Sequence, residues 1–528
     1  MCERYLMLAF LSTLIILLTA CHKTSTEVNK MMDALNLNLI STNDNLLTSM
    51  EPTFDIDYSV PLEKSRFLFE PIFSDSMVLQ ANAVIKFHGS HDTDGKIALM
   101  FNGQTYYSEV TTNQLFSFYI GYYTHGGPYE MTLYTKTSKY VFKDIMIGEV
   151  YLMSGQSNMA ITMSQILNSA NSAYTQKIKQ DIDDIDKEKI RFITVGILGS
   201  SEPLNKFQTH QTYPWEVLSS DNALNVSATA FYFAQEILNQ YDIPVGIIIS
   251  AVGATYTNTW IPKVDAIGMD STYVKNISDA DTPSQYYNGM IAPLKHMIFR
   301  GVIWYQGEGQ DVKYEENVTK LIHGWRREFS NPNLKFLIVG LPRFDFDLPN
   351  TQESWFQVRK QQQRLANIEG VTYSVNIDLG ILSSQTNDPI HPYDKDLIGK
   401  RAAHAFMDAF YEAPGIWTSP RLIYAGYLDG KLILKFSNVG EGIYLTDKKT
   451  GFEVSSDGIR FSYAEPKLVD HETIELNARL DNVQAIRYGY SYSFQEVFGS
   501  NGQPGSLSEL VCVFNSGHYP LDQFLIYT

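Results

Sequence analysis

From Phe67 to Phe142 the apolar residues come in short runs, Met77-Val78-Leu79, Val84-Ile85-Lys86-Phe87 and Met131-Thr132-Leu133-Tyr134, with Gly, Asp and Asn between them. Short apolar runs separated by turn formers are the mark of half-buried strands, so residues 56–144 are predicted to form a small all-β domain, a sandwich. Beyond it the pattern changes. Apolar strand candidates at Ile145 to Met153, Val245 to Ile249, Gly301 to Tyr305, Phe336 to Val339 and Val371 to Ile377 alternate with helical stretches. One helix runs from Ser227 to Gln240 with Ala230, Phe233, Ala234, Ile237 and Leu238 on one face. Another runs from Asp396 to Phe410 with Leu397, Ile398, Ala402, Ala405 and Phe406. Strand and helix in alternation over 145–412 predict an α/β fold built on a doubly wound parallel sheet, whose ligands bind beyond the carboxyl ends of the strands. After Ala413-Pro414-Gly415 short strands return at Lys431 to Phe436, Gly442 to Leu445, Thr473 to Leu476 and Ala485 to Tyr488, and residues 413–528 read as a second β domain.

With 528 residues and 44% hydrophobic content the chain is long enough for two or three domains. A formal net charge of -17 argues against a nucleic-acid partner, since phosphate binding needs concentrated Lys and Arg. The first residues carry Arg4, an apolar run from Leu6 to Leu18, and the tetrapeptide Leu18-Thr19-Ala20-Cys21. That run is marginal for a spanning helix and suits an export signal. Its last four residues resemble a bacterial lipobox, which implies a lipoprotein signal over 1–21, cleavage before Cys21 and lipid on Cys21. The plain alternative is an ordinary signal peptide or membrane anchor. Residues 22–55, rich in Ser, Thr, Asn and Lys, then read as a flexible tether. Loss of Cys2 and modification of Cys21 would leave Cys512 alone, so no internal disulfide is expected in the mature chain.

Four segments that follow strands carry chemistry. Ser154-Gly155-Gln156-Ser157-Asn158-Met159 puts a serine at a strand-to-helix turn, where Gly155 lets the backbone bend sharply and neighbouring amides can face an oxyanion. Met159 stands where the G-x-S-x-G elbow has its second Gly, which disfavours an α/β-hydrolase. An N-capping serine without catalytic role is the plain alternative. In Asn387-Asp388-Pro389-Ile390-His391-Pro392 an Asp three residues before a His can accept from the imidazole N–H and fix its tautomer, although a helix-start cap or surface pair has the same spacing. Val252-Gly253-Ala254-Thr255 and Trp304-Tyr305-Gln306-Gly307-Glu308 supply a Gly amide and a Gln amide, both suitable oxyanion donors. Together the four fill the roles acyl transfer needs. His323 and His404 read as surface or packing residues. No His pair has metal-site spacing and only Cys512 could supply a thiolate, so no metal is expected.

These blocks resemble the SGNH hydrolases and, within them, the sialate O-acetylesterases, which share Gly-Gln-Ser-Asn-Met and Trp-Tyr-Gln-Gly-Glu with related acetylxylan esterases. The resemblance runs through Asp144 to Met159, Val245 to Trp260, Tyr287 to Gln310, Trp325-Arg326, Leu341-Pro342, Arg359 with Gln362, Ile377 to Gly380 and Asp388 to Ala403. It extends to Phe73 through Gln80 in the preceding β region and to Phe452-Glu453-Val454 and Ile486 through Tyr490 in an accessory β region. It implies an SGNH-type sheet flanked by β domains, Ser157 as nucleophile, His391 and Asp388 as its partners, and an oxyanion hole of the Ser157 and Gly253 amides with the Gln306 side chain. Glu308 is the alternative acid. Glu149 stands where the family has Asp, Ala254 where it has a second Gly, and Gly309 where it has Ser.

The resemblance implies removal of O-acetyl groups from sialic acids or related glycans without a cofactor. Acetylated plant polysaccharide is the rival substrate, and a non-catalytic glycan-binding lipoprotein is the rival from another class. Arg343 would favour an acidic sugar, Tyr256 would pack on sugar rings, and Trp260 would either do the same or belong to the core. The expected address is that of an exported bacterial lipoprotein, periplasmic or cell-surface, tethered to the membrane. A clickable fatty acid should therefore label the wild type and miss Cys21→Ser; equal labelling of both would refute the anchor.

Overall fold

The computed structural model describes residues 54–528 except 185–187, 208–214, 268–281, 309–312, 345–348, 382–385, 387, 412, 448–450, 479–481 and 491–510. The export signal, Cys2, Cys21 and nearly all of the tether lie outside the described residues, as do Asn387 and Gly309. Of the strands that precede the 17-residue β5 (Lys139–Gly155), four belong to its sheet: β1 (Val78–Gln80), β2 (Gly95–Phe101), β3 (Gln104–Val110) and β4 (Gly126–Tyr134). The first part of β5 pairs antiparallel with β4, and β1 lies parallel to it with Val78 opposite Met146. From Ile145 to Gly155 every residue of β5 is buried, whereas Lys139 to Asp144 are mostly half-exposed. The division expected between 144 and 145 thus falls inside a single strand. The change in pattern read there marks passage from a half-buried to a fully buried environment, and the chain's hydrogen bonding continues across it. Apolar residues from Phe67 to Met407 accordingly form one core.

The later part of β5 is the middle of a parallel array. With β6 (Ile190–Thr194), β7 (Glu216–Val217), β8 (Val245–Ala251), β9 (Gly301–Tyr305), β10 (Lys335–Val339) and β11 (Val371–Ser374), the order across the sheet is β7-β6-β8-β5-β9-β10-β11. All neighbours run parallel except β7 with β6. The chain leaves β5, builds one side through β6 and β8, then crosses to the other side at β9. Such a reversal of strand order leaves a crevice at the carboxyl ends of the strands beside it.

Five helices complete the layers used below: α1 (Ser157–Ala160), α2 (Ala228–Tyr241), α3 (Tyr314–Glu328), α4 (Pro349–Leu365) and α5 (Lys395–Phe410). α2 packs on α5, and α3 on α4. Residues 301 and 304 of β9 point to opposite faces by strand alternation. A Cβ on Gly301 would lie 2.5 Å from the Phe406 ring of α5, while Trp304 meets Trp325 of α3 edge-on at 6.0 Å. The two helix pairs therefore cover opposite faces of the sheet. Beyond α5, two four-stranded sheets and a two-stranded ribbon, Ile443–Leu445 with Val513–Asn515, enclose a separate core around Phe436, Phe452, Ile474 and Tyr488.

β5 and β9 come closest where β5 ends. A Cβ on Gly155 would sit 2.0 Å from the Tyr305 carbonyl oxygen, and Gly155 has φ +138°, so only glycine is accommodated. Gly155→Ala should lower stability by on the order of 3–5 kcal/mol, read as an earlier midpoint in urea unfolding; an unchanged midpoint would refute this close approach.

Candidate active site

The turn after β5 is tied to both neighbouring strands: the Gln156 N–H donates to the Tyr305 carbonyl at 3.0 Å, and the Gly155 carbonyl accepts from Val252 N–H at 3.2 Å. Gln156, buried, is the N-cap of α1 and Ser157 its first helical residue. The reading of Ser157 as an N-cap is therefore corrected. Among the described residues no hydrogen bond is made by its hydroxyl, and the residue is half-exposed in the crevice at the strand-order reversal.

Gly253, on the loop after β8, faces this serine closely enough that a Cβ on it would stand 3.4 Å from Ser157 Cβ. Ala254 follows with φ +58°, a left-handed conformation that costs an alanine about 1 kcal/mol, at the position where the family has glycine. Gln306, at the end of β9, is fully buried. Its Oε1 accepts from Thr257 Oγ1 at 3.0 Å and its Nε2 donates to the Thr255 carbonyl at 3.4 Å, so the side chain braces the Gly253 loop and, among the described residues, keeps one N–H unused. The Gln306 carbonyl in turn accepts from Tyr314 Oη at 2.8 Å and Gln362 Nε2 at 3.0 Å.

His391 and Asp388 lie on the loop before α5, with Nδ1 2.7 Å from Asp388 Oδ2 and a backbone bond from His391 N–H to the Asp388 carbonyl at 3.3 Å. One turn thus holds imidazole and carboxylate together, and Pro389 fits within it. The loop is hung from the turn after β5 by Asn158, whose Nδ2 donates to the Ile390 carbonyl at 3.0 Å and to Glu308 Oε1 at 2.6 Å. Glu308 is buried, its Oε2 has no hydrogen-bond partner among the described residues, and burial pushes its carboxyl up. Its hydrogen bond goes to Asn158 and not to His391. The geometry brings Ser157, Gly253, Gln306, Glu308, Asp388 and His391 to the carboxyl ends of β5, β8 and β9.

Two expected substrate contacts are corrected. Trp260 is fully buried, donates Nε1 to Thr255 Oγ1 at 3.0 Å, stacks on Tyr286 at 5.4 Å and meets Trp304 edge-on at 6.1 Å, so it is core and offers no face to a sugar. Arg343 is also buried; its Nε donates to the Ile377 carbonyl at 2.9 Å, and desolvation with the adjacent Arg359 charge lowers its guanidinium to about 9. Tyr256 remains half-exposed on the Gly253 loop. His323 is exposed, and His404 is engaged by Glu236 Oε1 at 2.8 Å and by Tyr519 Oη. Two residues without an assigned role, Asn158 and Lys395, prove central to the wiring; the only signal was their position inside the chemical blocks.

The close approach of Gly253 to Ser157 has a direct consequence. Gly253→Ala should leave folding intact, because the residue is exposed, yet lower the maximal rate by crowding Ser157; an unaltered rate would show that this face of Ser157 is not used.

Residues 147–408 match the family described as carbohydrate esterase, sialic acid-specific acetylesterase. The sialate O-acetylesterase of Mus musculus is 24% identical over 526 residues, covering 84% of this chain and 94% of that protein, and the Homo sapiens sialate O-acetylesterase is 26% identical over 379 residues, covering 63% and 69%. The fold matches the crystal structure of a carbohydrate acetylesterase from Xanthomonas citri with a TM-score of 0.73 at 23% identity, covering 87% of this chain and 99% of that one. The chain therefore carries, over residues 147–408, the domain of the sialic acid-specific acetylesterase family of carbohydrate esterases, and it is a carbohydrate O-acetylesterase.

Proposed function

We propose that this esterase is serine-dependent, with Ser157 as nucleophile, and that its substrates are O-acetylated sialic acids or closely related glycans. The observation that carries the reading is the Asp388–His391 pair at 2.7 Å on a loop fastened to the residue beside Ser157. His391 takes the Ser157 proton as Oγ attacks the acetyl carbonyl. The oxyanion of the tetrahedral intermediate is met by the Ser157 and Gly253 amides and by the unused Gln306 N–H. Collapse breaks the ester bond, His391 protonates the departing sugar oxygen, and the acetyl group stays on Ser157. Water then gives its proton to His391 and attacks the acetyl-serine, and acetate leaves as the proton returns to Oγ. Asp388 holds the imidazole tautomer and stabilises the imidazolium throughout.

Within this reading the domains are an SGNH-type catalytic body flanked by the β regions, and the chain is exported and held at a membrane by lipid on Cys21. The sugar preference rests on the curated relatives. The test is acetate release from O-acetylated sialic acids, xylans and pectins, with wild type and three variants. Release should be fastest from the sialic acids and absent in Ser157→Ala. Asp388→Asn should lower kcat by on the order of 10³–10⁴, and Glu308→Gln by much less, since Gln retains an oxygen for Asn158. An active Ser157→Ala removes serine from the mechanism. A preference for xylan moves the substrate to plant polysaccharide, and a larger loss in Glu308→Gln than in Asp388→Asn transfers the orienting role to Glu308.

A further inference from the structure

Lys395, the first residue of α5, has no exposed surface. Its ammonium donates to Asn158 Oδ1 at 2.6 Å and lies 5.6 Å from the centroid of the Tyr305 ring. Complete burial of an ammonium is costly and is rarely retained without partners. Here Asp394, Glu308 and Asp388 offset part of that cost electrostatically, although desolvation still lowers Lys395 to about 8.

The chemistry of the contact determines what the lysine does. An ammonium has donors and no acceptor, so the carboxamide of Asn158 must turn its oxygen toward Lys395. Once Oδ1 is committed, the two N–H groups point the other way, one to Glu308 Oε1 at 2.6 Å and one to the Ile390 carbonyl at 3.0 Å. All three polar positions of the amide are then occupied, with Asn158 fully buried. The Ile390 carbonyl belongs to the residue before His391, and Asn158 is the residue after Ser157. One carboxamide therefore sets the height of the imidazole loop over the nucleophile turn, and Lys395 chooses its orientation. If the amide were reversed, its oxygen would face the Ile390 carbonyl and the Glu308 carboxylate, and the loop would lose its anchor.

Resting on the reading of Ser157 and His391 as nucleophile and base, we propose that Lys395 is a positioning residue for catalysis: its buried ammonium orients Asn158, and through Asn158 it registers the His391 loop against Ser157. It touches neither substrate nor reacting atoms. The consequence is separable from packing, because misregistered chemistry lowers turnover without weakening sugar binding, and because the effect must pass through one intermediary.

Steady-state kinetics on an acetylated substrate with Lys395→Met, Asn158→Asp and the double variant test this. Asn158→Asp retains an oxygen for Lys395 while removing both donations, so it should reproduce the lysine defect. Each single variant should lose on the order of 10²-fold in kcat with KM unchanged, and the double variant should be no worse than the poorer single. Losses that multiply, a rise in KM with kcat intact, or a kcat within twofold of wild type in either single variant would each overturn the proposal. Should Lys395→Met fail to fold, Asn158→Asp decides alone: a large fall in kcat supports the role and full turnover refutes it. Ser157→Ala is measured alongside. Activity in that variant defeats the catalytic reading itself, whereas an inert Ser157→Ala beside an undiminished Lys395→Met defeats only the role of Lys395.

Discussion

The close passage of β5 beside β9 is the constraint on which the remaining architecture rests. Seventeen residues in one strand reach roughly 55 Å at about 3.3 Å each, far enough to serve two bodies. Its beginning completes the pairing of β4, and its end is the middle of the parallel array. At its last residue the backbones approach until only a hydrogen fits on Gly155, and the Gln156 N–H and Tyr305 carbonyl are joined there. The turn that carries Ser157 therefore emerges from a tightly constrained point in the sheet. The role proposed for that serine needs such rigidity.

Rigidity at this edge comes with buried charge. Glu308, Asp394 and Lys395 converge under the His391 loop, where burial pushes both carboxyls up and the ammonium down. Three apolar residues of equal volume would fill the same space with less desolvation. What apolar groups lack is direction. Asn158 has one acceptor and two donors, and a charged donor on one side with carbonyl and carboxylate acceptors on the other defines its orientation without ambiguity. Polar wiring here is best understood as specification of geometry.

Much of this was legible in the chain before any coordinates. The strands Gly301–Tyr305 and Ala485–Tyr488 coincide with the expected ones, and α2 and α5 begin within one residue of theirs, because long periodic runs report burial directly. The Asp388–His391 contact was legible too, since three residues of spacing closes the pair within one turn. What the pattern could not reveal is which side of a neighbour a residue meets. Trp260 follows a catalytic loop and has the chemistry of a sugar platform, yet Tyr286, Trp304 and Thr255 enclose it. Arg343 and Lys395 carry charges that composition assigns to the surface, and both are buried by elements distant in sequence. The strand boundary near 145 was misplaced for a related reason: a change of burial within β5 mimics a change of domain.

The same logic extends from the crevice to the far end of the chain. Gln306 is held by its own backbone oxygen, which takes a hydrogen bond from Gln362 of α4, and Gln362 also accepts from Leu341 N–H at 3.1 Å. One turn earlier on α4, Arg359 Nε donates to Gln523 Oε1 at 2.7 Å, and the neighbouring Gln363 donates to Asp522 Oδ2 at 2.6 Å. Residues 522 and 523 lie just before the last strand, Phe524–Tyr527, of the separate C-terminal core. α4 is thus clamped between residues 522–523 on one side and the end of β9 on the other. Buried polar partners at both contacts fix its rotation about its own axis, which hydrophobic packing alone leaves loosely determined. A C-terminal β region joined in this way is part of what holds Gln306 in place, and with it the Gly253 loop beside Ser157.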